Sequence, residues 1–196
     1  FFEICNTRSI HMQTIGITGT IGAGKGTIVE YLVEKYGFKH FSVREYLLRE
    51  IRRREMAENR DSMVTVANEL RKKHAPSFIT DQLYDEAVKS GGNAIIESIR
   101  TPGEVISLRR KNSFTLLAVD ADAEKRYERI LMRKSETDQI DFKTFLENEK
   151  REMSSTDPNK QNLGKCIKMA DFVIRNNGSV KDLHQKVEEV LKRLKK

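Results

Sequence analysis

The stretch Thr14 to Thr27, TIGITGTIGAGKGT, limits what this chain can fold into more than any other. Ile15 and Ile17 alternate as in a short strand. Gly19, Gly24 and Lys25 keep a G-x-x-x-x-G-K spacing, and Ile28, Leu32 and Val33 carry an apolar face onward into a helix. Strand, glycine-rich loop and helix in this order build a cradle for phosphate. The glycines let successive N–H groups turn inward, the helix points its positive end at the anion, and Lys25 can reach the terminal phosphates. The residues expected to line the cradle are Gly19, Thr20, Gly22, Ala23, Gly24, Lys25, Gly26 and Thr27. Gly26 stands where such a loop ordinarily has Ser or Thr, and the hydroxyl falls one place later, on Thr27. That displacement leaves three forms of magnesium coordination open: direct, through water, or weaker.

With 196 residues, 38% of them hydrophobic, the chain supports one substantial core. A single domain over residues 14–196 is therefore expected. The net charge of +7 suits an anionic partner without separating nucleotide from nucleic acid. Much of the excess lies between Arg44 and Arg60 and at Lys192 to Lys196, the latter read as a solvated helix end with cations at the negative pole of its dipole. Cys5 and Cys166 lie far apart without metal-ligand spacing, which predicts a reducing, cytoplasmic setting. No apolar run approaches the roughly 18 residues that span a bilayer, so a soluble protein with no membrane partner is expected. Residues 1–13, FFEICNTRSIHMQ, match neither a secretory signal nor the domain that follows. Two readings stand: an added leader ahead of a natural start at Met12, and a trimmed organellar presequence.

After the loop, helices are expected over about 27–36, 43–59, 63–74 and 78–90, and again over 102–111, 122–134, 142–153 and 180–195. Strands are expected over 38–42, 93–97, 114–119 and 171–174. Such alternation predicts an α/β fold with a parallel sheet covered on both faces. The helical run over about 43–90 is longer than one crossover requires, which predicts a binding insertion. Within it, Arg52 to Arg54 carry two readings, a binding role and a solvent face balanced by glutamates. Glu97 ends the third strand on the edge that faces the ligand crevice in open α/β sheets. It is a candidate to hold magnesium through water or to receive a proton, against the plainer reading of a strand-end carboxylate. Asp120 is delivered to the same edge. Arg129 and Arg133, four apart, share a helix face, and the polar connector SETDQ then leads to another helix. This is the pattern of a mobile lid, about 134–153, that closes on a triphosphate and excludes water.

The order of these motifs resembles the nucleoside monophosphate kinases of the P-loop NTPase superfamily over nearly all of residues 14–195. GKGT at Gly24 to Thr27 resembles the adenylate kinase form of the loop, IIESIRT at Ile95 to Thr101 that family's strand and acceptor-gripping arginine, and RILMR at Arg129 to Arg133 its lid-entry pair. The loop and ADFVIRNNGSVKDL at Ala170 to Leu183 are similar also to dephospho-CoA kinases. The resemblance implies a three-layer α/β/α fold with a five-stranded parallel sheet. It also implies transfer of the γ-phosphoryl group of ATP, with Mg2+, to a small nucleotide acceptor, by a monomer or homodimer. Lys25, Arg100, Arg129 and Arg133 would be catalytic, joined from the lid by Arg151. Arg129 and Asn177 would meet ATP, Arg44, Glu45, Arg49 and Arg100 the acceptor, and Thr27 and Glu97 the metal. Arg44 to Arg49, REYLLR, keeps the LLR of the adenylate kinase acceptor motif and replaces its glycine and aspartate. Dephospho-CoA kinase activity and a non-catalytic ATP-sensing or nucleic-acid-associated module are the alternatives. A GTPase is disfavoured, because Asn159 to Asn162, NKQN, lacks the aspartate of a guanine-reading N-K-x-D.

Overall fold

The strand ahead of the glycine-rich loop is β1 (Thr14–Gly19), buried at all six positions. The structure, a computed structural model, describes residues 12–111, 113–133 and 140–194. β1 is the middle strand of a five-stranded sheet. β2 (Lys39–Ser42), β3 (Ala94–Glu97), β4 (Phe114–Asp120) and β5 (Phe172–Arg175) join it in the order β2-β3-β1-β4-β5, all parallel. The described helices are α1 (Lys25–Tyr36), α2 (Val43–Arg53), α3 (Arg60–Lys73), α4 (Phe78–Ser90), α5 (Pro102–Arg109), α6 (Ala123–Arg133), α7 (Phe142–Met153), α8 (Leu163–Lys168) and α9 (Val180–Leu194). This is the three-layer P-loop kinase architecture that the motif order implies.

Parallel strands need helical crossovers, and these cover both faces of the sheet, which is why β3 and β4 read as unbroken apolar runs. Ile95 and Ile96 point to opposite sides. Ile95 joins Ile15, Ile17, Leu117 and Val119 under α1 and α9. Ile96 joins Leu116 in a second core with Val43, Leu47 and Ile51 of α2, Val66 of α3, Ile79 of α4 and Leu108 of α5. The helical insertion thus shares a core with the sheet. Ile17 and Ser42 are each in register with Glu97, and Asp120 with Arg175, so the C-terminal strand ends gather at one edge.

Three local expectations need correction. α2 stops at Arg53 rather than near Asn59: the Arg54 N–H closes on the Glu50 and Ile51 carbonyls, and Glu55 takes a left-handed φ of 53° that a continuing helix cannot hold. α3 begins at Arg60 rather than Met63 because the Asn59 side chain accepts from the Ser62 N–H at 2.8 Å, a local N-cap. α8, capped by Asn162, falls on residues for which no element was expected. The solvent-face reading of Arg52 to Arg54 holds, since they pair with Glu58, Glu50 and Glu69 on the surface. The SETDQ connector, Lys134, Cys5 and most of the 1–13 segment lie outside the described residues. Among the described residues no helix is long and apolar enough to cross a membrane.

Candidate active site

The loop after β1 turns through two left-handed glycines before α1. Gly22 has φ 76°, and a Cβ there would lie 2.4 Å from the Arg126 carbonyl oxygen. Gly24, φ 99°, is the N-cap of α1 and brings no capping side chain, so no side chain of the cap residue competes with an anion for the first amides of the helix. The buried Asn176 amide donates to the Ala23 carbonyl at 2.8 Å, and Thr20 Oγ1 donates to Asp120 Oδ1 at 2.9 Å; both bonds hold the loop from the neighbouring strand ends. Asp120, which also accepts from Arg175 at 2.9 Å, is thereby a brace for the loop. Lys25 Nζ folds over the loop and donates to the Gly19 and Thr20 carbonyls at 3.0 and 2.8 Å. Burial, and after it the nearby Arg100 charge, push Lys25 down to about 8.

Lys25 opens onto a cavity of about 590 Å3 between the loop and the helical insertion. Six cationic side chains line it, Lys25, Arg44, Arg60, Arg71, Arg100 and Arg133, against two carboxylates, Glu97 and Glu152. The balance selects anions. Val43, Leu47, Met63, Val64 and Ala67 supply an apolar wall.

Glu97 ends β3 beside Lys25. Its carboxylate lies 3.4 Å from His40 Nε2 and accepts from Ser98 Oγ at 3.2 Å. Burial opposes its ionisation, but His40 and Lys25 outweigh that, and the carboxyl is held below its usual range. Ser98 takes a left-handed φ of 72°, while its N–H and that of Ile99 both donate to the Ile17 carbonyl. The turn ends the strand and sends the chain on to Arg100, which lines the cavity. The Arg100 N–H donates at 2.7 Å to Glu104, whose carboxylate also closes a capping box with Thr101 at the start of α5.

The Arg100 guanidinium donates to Glu152 on α7 and, at 2.8 Å, to Gln161. Glu152 accepts in turn from Arg60, so one carboxylate with 9% side-chain exposure bridges two cavity arginines. Burial works against the charge on Glu152, yet Arg100 and Arg60 hold it below the usual carboxylate range. Sequence reasoning passes over Arg60 and Glu152. A signal was available: a cation opens α3 and an anion sits in the last turn of α7, each against the helix dipole.

Of the residues expected at the site, Gly22, Lys25, Arg44, Glu97, Arg100 and Arg133 come together around the cavity. Arg49 does not. It lies five residues beyond Arg44, about 140° around the helix, over Tyr46 and 3.1 Å from Glu86. Glu45, 3.6 Å from Arg44, is likewise not among the lining residues. Arg129 donates to the Asn176 carbonyl at 2.9 Å, beside the loop rather than in the cavity. Asn177 Oδ1 accepts from the Asp122 N–H at 2.9 Å, so the neighbouring Asn176 is the residue whose side chain touches the loop. Arg151 lines a smaller cavity of about 270 Å3, which shares Arg60 and Glu152 with the first. Thr27 follows Gly26 in the first turn of α1. Among the described residues no three His, Cys, Asp or Glu side chains form a metal cage.

Comparison with solved structures finds the same fold. TT1252 from Thermus thermophilus superposes with a TM-score of 0.64 at 20% identity, covering 94% of this chain and 98% of its own. A shikimate kinase from Bacteroides thetaiotaomicron gives a TM-score of 0.60 at 13% identity over 92% of this chain and 99% of its own. In sequence, a UPF0200 protein of Methanococcus maripaludis is 29% identical over 93% of this chain and 98% of its own length. One from Methanothermobacter thermautotrophicus is 27% identical, over 94% and 92%. A family model described as AAA domain matches residues 15–155, from β1 through α7 and therefore across the cavity, and the chain belongs to that family.

Proposed function

We propose that this protein is an ATP-dependent phosphotransferase that moves the γ-phosphoryl group to a nucleoside monophosphate or a similar small nucleotide. The observation that carries the reading is the joining of two anion sites in one cavity. The loop with Lys25 lies on one side, and on the other Arg100 and Arg60 are held by an internal carboxylate, Glu152. In this reading Glu152 keeps the place of the acceptor's phosphate.

The loop amides and Lys25 hold the donor phosphates, and Lys25 exchanges its two carbonyl partners for phosphate oxygens. Arg60 and Arg100 release Glu152 and fix the acceptor phosphate for in-line attack. An acceptor phosphate oxygen arrives ionised, so attack on the γ-phosphorus, with departure of the β–γ bridging oxygen on ADP, needs no general base. Arg133 adds charge against the transferring oxygens, in the manner by which arginines can supply on the order of a thousandfold or more. Mg2+, when bound, neutralises charge on the donor phosphates; Thr27 and Glu97 are the residues suited to hold it, Glu97 through water. Residues 43–90 act as the acceptor-binding insertion. The segment about 134–153 acts as the lid, and Arg129 and the Asn177 turn flank the adenosine end of ATP.

The test is magnesium-dependent ADP release from ATP with a panel of ribo- and deoxynucleoside monophosphates plus dephospho-CoA. Stimulation by one member is expected, and Lys25→Ala should abolish it with the fold intact. Full activity in that variant, or a flat panel with ATP still bound, overturns the reading in favour of an ATP-sensing module.

A further inference from the structure

We propose that the smaller cavity, between α3 and α7, is a second anion subsite, which takes a further phosphate group beside the phosphate of the acceptor. This rests on Arg60 and Arg100 as the place of the acceptor phosphate, and extends that reading.

The cavity, about 270 Å3, adjoins the larger one at the ion pair of Arg60 and Glu152, and Gln161 also lines both. Against the roughly 30 Å3 share of one water, it has room for a phosphate and part of its hydration. Arg151 and Glu152 lie three and four residues along from Asn148, on one face of α7, and Arg60 of α3 stands across from them. Lys160 completes the charged lining. Three cations, Arg60, Arg151 and Lys160, thus meet one carboxylate, and Arg60 and Arg100 already share it. Such a cleft concentrates anions. Among the described residues the Arg151 and Lys160 side chains have no ion-pair or hydrogen-bond partner, whereas the exposed Arg49, Arg52 and Arg53 each meet a glutamate.

The chain holds these groups in place. The Asp157 carbonyl accepts from the Lys160 N–H at 3.1 Å, the Asp157 carboxylate accepts from the Asn159 N–H at 2.9 Å, and the Asn162 N–H donates to the Arg100 carbonyl at 2.8 Å. Lys160 and Gln161 are therefore anchored to the segment that carries Arg100. The Gln161 side-chain oxygen accepts from the Arg100 guanidinium at 2.8 Å, which leaves its amide nitrogen as a donor. When the acceptor phosphate displaces Glu152, α7 loses its ion pairs with Arg60 and Arg100. A phosphate held by Arg60, Arg151 and Lys160 joins α3 to α7 again. Two sources offer this chemistry, a second phosphate on the acceptor nucleotide and a separate inorganic anion.

The experiment is calorimetric titration at about 0.15 M salt, which screens distant charges. Saturating ATP fills the loop, and Mg2+ is omitted so that nothing turns over. Adenosine and uridine 3′,5′-bisphosphates are compared with the corresponding 5′-monophosphates, and the monophosphates are titrated again with inorganic phosphate present. For at least one base, the bisphosphate, or the monophosphate with inorganic phosphate, is expected to bind at least about tenfold more tightly than the monophosphate alone, as one added hydrogen bond to a charged group provides. The first result puts the second phosphate on the acceptor; the second makes it a separate anion. R151A/K160A should erase the gain, and since both side chains are exposed and unpaired the fold is expected to survive. Asn148→Asp, which sets a carboxylate in the cleft, should cause the same loss by another route. No gain from either source, a gain that survives in R151A/K160A, or a variant that weakens monophosphate and bisphosphate equally, as a general loss of positive field would, overturns the inference. Stimulation of ADP release by a monophosphate would then leave phosphotransfer standing without the subsite. A flat acceptor panel beside a gain that R151A/K160A removes would leave the subsite standing and overturn the transfer.

Discussion

The Lys25 ammonium is pushed down to about 8, first by burial and then by Arg100. Donor phosphates favour its charged form. Below pH 8 the lysine meets them already protonated. Above pH 8 binding must take up a proton, and affinity falls by as much as about tenfold per pH unit. The kcat/KM for ATP should therefore bend downward above about pH 8, and calorimetry at pH 9 in two buffers of different ionisation heat should register proton uptake. A profile flat from pH 7 to 9.5 would contradict this assignment. Lys25, Gly22, Gly24 and Arg100 were legible in the sequence because their roles follow from spacing along the chain. Arg60, Arg71 and Glu152 were not, because their meaning lies in partners 33 to 92 residues away, which only the fold brings into contact. Arg44 and Arg49 looked equivalent in sequence, and helix rotation separates them.

Helix α7 is tied to the phosphate loop through the buried Arg126 and to the end of β3 through Arg100. Arg126 donates to the Ala121 carbonyl at 2.7 Å, to the Ile21 carbonyl at 3.3 Å and to Glu149 on α7 at 3.0 Å, with its guanidinium over Phe145. Arg100 reaches the same helix through Glu152. Removing one partner of a buried pair is costly, and a glutamine that keeps one accepting oxygen lowers that cost to about 1–3 kcal/mol. Glu152→Gln is thus expected to lower the melting temperature of the empty protein by several degrees. Affinity for a nucleoside monophosphate should rise at the same time, since no tethered anion then competes. Thermal unfolding with and without the nucleotide measures both. A parallel fall in affinity would make Glu152 a ligand of the acceptor rather than its stand-in. The pattern of apolar residues announced α7 and its neighbours; the end of α2 and the short α8 escaped it because each is set by a cap or a left-handed residue rather than by periodicity.

Across the full fold, the sheet was the most legible part, since strands buried on both faces leave continuous apolar runs such as NAIIE and FTLLAV. The sharing of cores was not legible. Val66, Ile79 and Leu83 of the insertion pack in one cluster with Ile96 of β3 and Leu116 of β4, so the insertion has no separate core on which to fold alone. Denaturant unfolding should accordingly show one transition, with far-UV circular dichroism and tyrosine fluorescence coincident. Two separated transitions would mean that residues 43–90 open independently. The same integration has a cost concentrated in one place. Glu104 is fully buried and is absent from the cavity wall, yet its carboxylate caps α5, sets the backbone of Arg100 and orients Arg71. If the protein transfers phosphoryl groups as proposed, a screen of random substitutions for lost activity should recover Glu104 as well as Lys25, although Glu104 is not in the cavity wall: a junction hidden behind the site can be broken by a change that never enters the cavity.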